Sequence, residues 1–353
     1  MRVLRREATF SQIDFSQLIV RTIGVVLLAL VVIGTISTLL SGRYTAGQWL
    51  NFIISGIAQG GIYALIALGY TLVYGVLRLI NFAHGEVFMS GAFTAFFLAD
   101  ALNRSGFLDA QPILSLLVIV AFAALVSTSL ALAVERIAYR PLRRSPRLVA
   151  LITAIGTSFF LQYTFRGLFG SNIRVYPDVD ILEGTVFGIG RTLIVVFVAA
   201  MVMLAALYLF IQRTKTGRAI RAISEDLDTA ALMGVNVDRV IATTFALGGA
   251  LAGVAGVLYA LIFHQVNFFM GFIPGVKAFT AAVLGGIGNM PGAALGGLLL
   301  GIIESIGPSL ILDGLGIPAA HQLKDLIAFT VLVLILIFRP TGILGERLAV
   351  KRV

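Results

Sequence analysis

The sequence predicts an all-α fold, a polytopic bundle of transmembrane helices. Of its 353 residues, 59% are hydrophobic and 12% are charged, whereas ordinary soluble domains have roughly 45–50% and about 25%. Apolar runs of about 20 residues, the length that crosses a bilayer, recur from Ile19 to Phe338. A soluble helical domain cannot bury so many segments that are apolar on every side.

Polar turns divide the apolar sequence into ten candidate spans. The run around 276–289 is too short to cross alone and indicates a re-entrant segment or half-helix. We therefore expect about eight to ten crossings, with broken segments among them. The candidate spans are 18–40, 50–76, 86–101, 113–134, 148–168, 192–211, 240–262, 276–289, 293–312 and 324–338.

The first apolar run is interpreted as a retained transmembrane helix. Three arginines in the first six residues precede it, as in a secretory signal peptide. The run Ile19–Leu40 is longer than the 7–15 apolar residues of a signal peptide, and no small-x-small cleavage site follows it before Arg43.

The basic residues lie mainly in the connections between the spans. The net charge is +9 and the sequence pI is about 10.2, but the basic residues lie between apolar runs and act as topology signals, which excludes a nucleic-acid partner. With an even number of crossings, the basic connections and both chain termini are expected in the cytoplasm. The basic connections carry Arg136, Arg140, Arg143, Arg144 and Arg147, then Arg213, Lys215, Arg218, Arg221 and Arg239.

Glycine pairs at GxxxG spacing indicate tight helix packing. Small residues four apart on one face allow two helix backbones to approach closely. The pairs are Gly56 and Gly60, Gly249 and Gly253, Gly292 and Gly296, and Gly297 and Gly301.

Two polar, glycine-containing breaks interrupt apolar helices. They are "LINFAHGEVFMSGAF" (79–93) and "VLGGIGNMPGAALGG" (283–297), one in each half of the chain. In transporters with internal repeats, broken helices from two halves meet near the membrane midplane. We expect the same here, the alternative being two cytoplasmic hairpin turns. The candidate path residues are Asn81, His84, Gly85 and Glu86 in the first break, and Gly286, Gly288 and Asn289 in the second.

The segment "GRAIRAISEDLDTAALMG" (217–234) is polar and charged between two apolar spans. Ile220, Ile223 and Leu227 recur at three- and four-residue steps and predict one apolar stripe. Ser224 is the predicted N-cap of a helix of about nine residues, which ends at Gly234 in the C′ position. Such a helix is too short to be stable alone, so we expect it to rest on a surface. That surface is its own bundle, a membrane surface or a soluble partner.

The residues of this segment, extended to Val240, resemble the cytoplasmic coupling loop of ABC-importer permeases for branched-chain amino acids, the LivH type. The resemblance also covers "GIYALIALGYTLVYGVLRLINFAHGEVFMSGAF" (61–93), "KAFTAAVLGGIGNMPGAALGGLLLGIIES" (277–305) and "RPTGILG" (339–345). It divides the chain into an extra amino-terminal part (1–48), a permease domain (49–345) with its coupling loop at 212–239, and a basic tail (346–353). The extra first helix has no counterpart in the shorter family members.

The resemblance implies a transport subunit of the bacterial inner membrane that moves leucine, isoleucine or valine. The implied partners are a second, LivM-like permease, two cytoplasmic ATPase subunits, an extracytoplasmic binding protein and the lipid bilayer. Related importers that carry urea, amides or other amino acids are the alternative. The residues that match the family's loop, and so are implied to contact the ATPase, are Gly217, Arg218, Arg221, Glu225, Asp226, Ala230 and Gly234.

Motifs for catalysis and cofactors are missing from the sequence. "GGIGNMPG" (285–292) lacks the lysine and the hydroxyl residue of a phosphate-binding loop. The three histidines have no metal-ligand spacing, there are no cysteines, and no serine stands in a GxSxG motif. We expect no catalytic residue, metal or cofactor, so ATP hydrolysis must occur on another polypeptide. His84 and Glu86 are expected to cap the first break.

Glu304 is an acid inside an apolar run. Because a charge in the membrane is costly, such a residue is a functional candidate by default. A donor on a neighbouring helix, or an aqueous end of the span, explains it better than a proton relay. A self-sufficient carrier, the other alternative, requires more charged sites than this single acid.

Overall fold

The computed structural model describes residues 15–143, 145–186, 188–339 and 341–345. Most of this part is helical, which confirms the predicted all-α class. The basic tail at 346–353 and the first 14 residues lie outside the described residues. The helices are α1 (Phe15–Ser41), α2 (Ala46–Leu77), α3 (His84–Arg104), α4 (Phe107–Ala110), α5 (Pro112–Val134), α6 (Arg147–Phe169), α7 (Arg191–Arg213), α8 (Lys215–Glu225), α9 (Leu227–Leu232), α10 (Val237–Phe263), α11 (Phe272–Gly285), α12 (Met290–Gly307) and α13 (Lys324–Phe338).

Nine helices of the described chain are long and apolar enough to cross a membrane. The tenth predicted span is the short helix α11, which has 14 residues. It begins at Phe272, several residues earlier than predicted, and is preceded by a non-helical stretch (264–271) that contains one short strand. A non-helical stretch followed by a short helix therefore returns the chain through the bundle, as expected of a half-helix.

Within the described residues, four two-residue strands lie at one end of the bundle, here called the strand end. β1 (Arg174–Val175) pairs antiparallel with β4 (Gln265–Val266). β2 (Thr185–Val186) pairs antiparallel with β3 (Ile189–Gly190). These strands join the end of α6 and the start of α7 to the end of α10.

The opposite end, here called the basic end, is formed by residues 78–83, 135–143, 145–147, 213–237, 286–289, 339 and 341–345. Hydrogen bonds connect these segments to one another. Arg140 donates to Asp238, and Asn289 donates to the carbonyl of Leu344. Most of the arginines that the sequence places in the basic connections between spans lie at this end.

The core is built around α2, which contacts α12, α10, α11 and α7. A Cβ added to Gly60 would lie 2.8 Å from Cα of Leu298, and one added to Gly56 would lie 2.8 Å from Cα of Ile302. The predicted close approach at GxxxG faces is thus confirmed between α2 and α12. Gly253 of α10 packs in the same way on the backbone of Ala123 in α5.

The extra first helix, α1, lies at the edge of the bundle. Its side chains from Ile23 to Leu40 are largely exposed, as expected of a helix in contact with lipid. It is attached to the π-helical stretch Pro308–Leu312 that continues α12, where Thr38 donates a hydrogen bond to the carbonyl of Ser309 (3.2 Å). Tyr44 donates to Asp313 just beyond.

Candidate translocation and coupling sites

The first predicted break is present between α2 and α3. α2 ends at Leu77, and Arg78 adopts a left-handed backbone conformation (φ 54°) that turns the chain out of the helix. α3 starts at His84, whose ring packs on Gly69 of α2. Gly69 lies eight residues before the end of α2, about 12 Å at the rise of an α-helix. The break therefore re-enters the bundle before α3 begins.

Asn81 and His84 are buried inside this break. The Asn81 side-chain oxygen accepts a hydrogen bond from the Tyr139 hydroxyl (3.0 Å). The His84 ring meets the Tyr70 ring edge to face at 4.9 Å. Neither the His84 nor the Glu86 side chain caps α3, since the N-cap is Ala83 without a side-chain hydrogen bond. The predicted capping role of His84 and Glu86 is wrong, because both side chains point into the packed interior.

Glu86 is buried, with 1% of its surface exposed. Its Oε1 accepts a hydrogen bond from the Ser158 hydroxyl of α6 (3.2 Å). The Gln162 side-chain amide of the same helix lies 3.5 Å from that oxygen. Its Oε2 has no hydrogen-bond partner among the described residues.

The start of α3 lies against the start of α11. A Cβ on Gly85 would lie 2.6 Å from the carbonyl oxygen of Gly271 and 3.4 Å from Cα of Gly275. Only residues without a side chain permit this approach of two backbones. The amino-terminal ends of two helices, one from each half of the chain, therefore meet inside the bundle.

The second predicted break does not take part in this meeting. Residues 286–289 form a tight turn between α11 and α12 at the basic end, so the hairpin alternative applies there. Asn289 caps α12 by accepting from the Gly292 amide (2.9 Å). Gly286 and Gly288 adopt positive φ angles of 108° and 95°, which a turn with glycine supports.

The break that meets Gly85 is instead the stretch 264–271, at the other end of α11. The sequence analysis missed it, because its apolar residues merge with the neighbouring spans. A signal was available in "HQVNFFMGFIPG" (264–275), which holds a histidine, an asparagine, two glycines and a proline in an apolar region.

The coupling segment forms two helices rather than the predicted one. Thr214 caps α8 by accepting from the Gly217 amide (2.9 Å). Asp226, with an extended backbone, caps α9 by accepting from the amides of Asp228 (2.9 Å) and Thr229 (3.0 Å). The predicted N-cap, Ser224, is wrong, because its hydroxyl donates to the carbonyl of Arg221 and completes the last turn of α8.

The apolar stripe rests on the bundle itself. Ile220 and Ile223 are buried, while Leu227 is 38% exposed. The expected continuation of the stripe to Leu227 is wrong, because the chain leaves the helix at Asp226 and α9 starts in a new direction. α8 contacts α7, α2 and α10, so this helix is part of the folded body.

The seven predicted contact residues fall into two groups. Arg218, Glu225, Asp226 and Gly234 are exposed, and Gly234 has the positive φ angle (85°) expected at C′. Gly217 and Ala230 are buried, and Arg221 donates to the carbonyl of Ile211 and to Gln212. The second group therefore holds the segment on the bundle, with Arg221 partly exposed.

The tip of α9 carries an exposed apolar pair that the sequence analysis did not single out. Leu232 is 88% exposed and Met233 is 81% exposed. They project from the basic end, at the end of the short helix that carries the exposed Asp228. The available signal was two large apolar residues directly before the helix-ending Gly234.

Comparisons with known proteins agree with this architecture. Residues 52–336, more than half of the chain, match the family described as "Branched-chain amino acid transport system / permease component". The chain belongs to this family. It is 46% identical to the high-affinity branched-chain amino acid transport system permease protein BraD of Pseudomonas aeruginosa, over 85% of this chain and 96% of that protein.

Two further relatives extend the comparison. The permease is 42% identical to the high-affinity branched-chain amino acid transport system permease protein LivH of Escherichia coli K12, over 85% of the permease and 97% of LivH. It is 28% identical to the probable branched-chain amino acid transport permease protein LivM of Methanocaldococcus jannaschii, over 85% of each. The chain is therefore a transport subunit rather than an enzyme, and a multi-pass protein of the inner membrane.

The permease pairs its intramembrane acid with a base. Lys277 Nζ of α11 lies 2.6 Å from Glu304 Oε1 of α12 and 2.5 Å from Asp325 Oδ1 of α13. Lys324 Nζ lies 3.9 Å from Glu304 Oε1. Glu304 is therefore not isolated, and its pairing with a donor on a neighbouring helix is the one expected from the sequence. The cluster joins three helices through charge.

Proposed function

We propose that this permease forms the membrane path of an ATP-driven importer of branched-chain amino acids, with the exposed tip of α9 as the docking surface of its ATPase. The observation that carries the coupling role is the exposed pair Leu232 and Met233 at the end of a helix whose neighbour, α8, packs one apolar face on the bundle. The names of the relatives BraD and LivH state branched-chain amino acids as what they transport.

The docking surface requires the basic end to face the cytoplasm. Arg78, Arg136, Arg140 and Arg143 lie there, and arginine and lysine accumulate in cytoplasmic connections of membrane proteins. This orientation supports cytoplasmic termini and places the strand end outside, where a binding protein delivers the substrate.

The shape of the coupling segment suits the transmission of movement. α9 offers the partner exposed apolar and acidic groups, Leu232, Met233 and Asp228. α8 is fixed by buried Ile220 and Ile223. A force applied at the tip therefore reaches the transmembrane helices through a packed element instead of being absorbed in a loop.

A second permease and two ATPases complete the proposed assembly. The similarity of this chain to LivM of M. jannaschii supports a partner with a related sequence. Two related permeases form a pseudo-twofold pair, which presents one α9 tip to each ATPase.

The test is co-purification of the permease with its ATPases after the double substitution L232D/M233D. Loss of the ATPases from the complex is expected, because charges would replace the apolar pair at the contact. The matched control is V175D at the strand end, where Val175 is 73% exposed. Unchanged ATPase recovery with L232D/M233D, or equal loss with V175D, would contradict the docking surface.

Uptake by reconstituted vesicles tests the transport role. Leucine uptake is expected only with ATP, the ATPases and the binding protein present. Uptake by the permease alone would favour the self-sufficient carrier. Uptake of urea or amides without leucine would favour a related importer.

A further inference from the structure

A cavity of about 60 Å³ lies where the starts of α3 and α11 meet. We propose that this cavity binds the ammonium and carboxylate groups of the amino acid in transit, with Glu86 as the partner of the ammonium group. The proposal rests on the proposed function, because it takes the substrate to be an amino acid. It adds a binding site on the permease itself. Its lining includes Gly85, Glu86, Ile155, Phe159, Gly271 and Phe272.

Glu86 supplies the negative group of the site. It lines the cavity and is almost fully buried, and Oε2 has no hydrogen-bond partner among the described residues. A buried acceptor without a partner is costly, so it calls for a ligand that donates hydrogen bonds. A primary ammonium group offers three such donors and the opposite charge.

The two helix starts supply partial positive charge. The amino-terminal end of a helix carries roughly half a positive charge and attracts carboxylates. α3 has 21 residues and α11 has 14, and both begin at this cavity. Gly85, Gly271 and Gly275 line it, so their main chains are not covered by side chains. Half-helix ends near the midplane are known to face the carboxylates of transported substrates.

This combination selects a zwitterion over a simple ion. A metal cation would meet Glu86 favourably but would face two positive helix ends. An anion would suit the helix ends but would lie beside the carboxylate of Glu86. An α-amino acid satisfies both, because its ammonium and carboxylate groups are attached to the same carbon.

The size and walls of the cavity agree with this ligand. At 10–15 Å³ for each water-sized group, the cavity holds about five such groups, and an α-amino acid head has five non-hydrogen atoms. Ile155 and Phe159 of α6 and Phe272 of α11 form the partly exposed wall. An aliphatic side chain extends between these apolar residues while its head group stays near Glu86.

The first experiment measures ligand binding to the complex of the permease and its ATPases in nanodiscs, without the binding protein. Radiolabelled leucine and 4-methylpentanoate, which lacks the ammonium group, are the probes. E86Q is expected to weaken leucine binding about tenfold or more, because a charge-assisted hydrogen bond is lost. Binding of 4-methylpentanoate should not weaken. Equal leucine affinity of E86Q and the wild-type complex would overturn the proposal.

E135Q is the matched control, since Glu135 is another buried acid of the spans, does not line the cavity, and has a partner, Arg143, that keeps a second pairing with Asp238. It should bind leucine as the unchanged protein does. An equal loss of leucine binding in E135Q and E86Q would overturn the site, because the effect would not be local to the cavity.

A second measurement does not depend on folding of E86Q. The chain has no cysteine, so the I155C variant has a single thiol at the wall of the cavity. Leucine should slow the reaction of this thiol with a methanethiosulfonate reagent. An identical rate with and without leucine overturns the site.

The two proposals fail in different ways. If the complete transporter with binding protein and ATP takes up no leucine, the proposed function is wrong. If uptake occurs but the I155C thiol is not protected and E86Q binds leucine normally, only the site is wrong.

Discussion

The guanidinium group of Arg78 donates a hydrogen bond to the main-chain carbonyl oxygen of Ser224. Arg78 follows α2 and starts the break that leads to α3, whereas Ser224 lies in the last turn of α8. This bond connects the coupling segment to the re-entrant stretch that ends at the Glu86 cavity. In the assembly proposed above, it gives the segment that would contact the ATPase a direct link to the interior of the bundle.

Removal of this link should separate ATP hydrolysis from transport. R78A is expected to leave the ATPase complex assembled while the amount of leucine transported per ATP falls severalfold. The measurement is uptake and phosphate release by the same vesicles. R136A, which removes another exposed arginine of the basic end, should keep the wild-type ratio. A normal ratio in R78A would show that coupling runs through other contacts.

The cap at Asp226 should control docking of the ATPase. D226A is expected to fray α9 and reduce ATPase co-purification, because two main-chain amides lose their acceptor. D226N and D226S retain a capping oxygen and should preserve it. Equal recovery of the ATPases with D226A and D226N would contradict this role of the cap.

The pH dependence of the same cap follows from its hydrogen bonds. Bonds from the Thr229 amide and hydroxyl, together with the Asp228 amide, lower the pKa of Asp226 below its ordinary value. The stabilisation from its ionised form is thus complete above the pKa of unfolded Asp, about 3.9, and is lost only as pH falls through the lower folded value. ATPase association should therefore be constant between about pH 6 and 8 for D226N and the wild type alike, as co-purification at each pH would show.

The close approach of α3 and α11 should not tolerate a side chain. G271A is expected to destabilise the permease by about 1–3 kcal/mol, because its Cβ would overlap the carbonyl of Gly85. G156A in α6 is the control, since a Cβ there meets no atom within 4 Å. That change should be neutral or stabilise by up to about 1 kcal/mol. Thermal unfolding in detergent compares the two, and equal melting temperatures would contradict the packing argument.

The charge cluster should be sensitive to loss of its base. K277M leaves Glu304, which is 1% exposed, without its nearest cation and should cost about 3–5 kcal/mol. The double variant K277M/E304M should recover part of that loss, since no buried charge then remains unpaired there. Asp325 is 42% exposed and can be hydrated instead. A double variant less stable than K277M would show that the pair contributes more than mutual neutralisation.

The helices were predictable because membrane-spanning segments carry their own signal. A backbone in lipid must satisfy its hydrogen bonds within each helix, so length and hydrophobicity suffice to place it. The short tenth span around Lys277 and the close packing at Gly56 and Gly60 could also be predicted from the sequence. Both follow from local spacing.

The candidate sites were predictable only in part. Asn81 does lie in a break between α2 and α3, and His84, Gly85 and Glu86 form the first turn of α3 inside the bundle. Gly286, Gly288 and Asn289 form a turn at the basic end instead. The sequence did not reveal this, because glycines mark a chain reversal both inside the bundle and at its end. In the coupling segment Ser224 and Asp226 are comparable N-caps. Asp226 is the N-cap of the second helix, because the buried Ile220 and Ile223 hold α8 on the bundle and Ser224 lies in the last turn of α8.

By itself the sequence determined the class of the protein, the number and order of its apolar helices, the charged coupling segment and the family resemblance. These depend on composition and on residues close together in the chain. Only the tertiary structure decided that Gly85 meets Gly271, that Arg78 reaches Ser224, and that Glu304 pairs with Lys277. Such contacts join residues far apart in sequence, and they are set by which helix backbones approach most closely when all of them pack together.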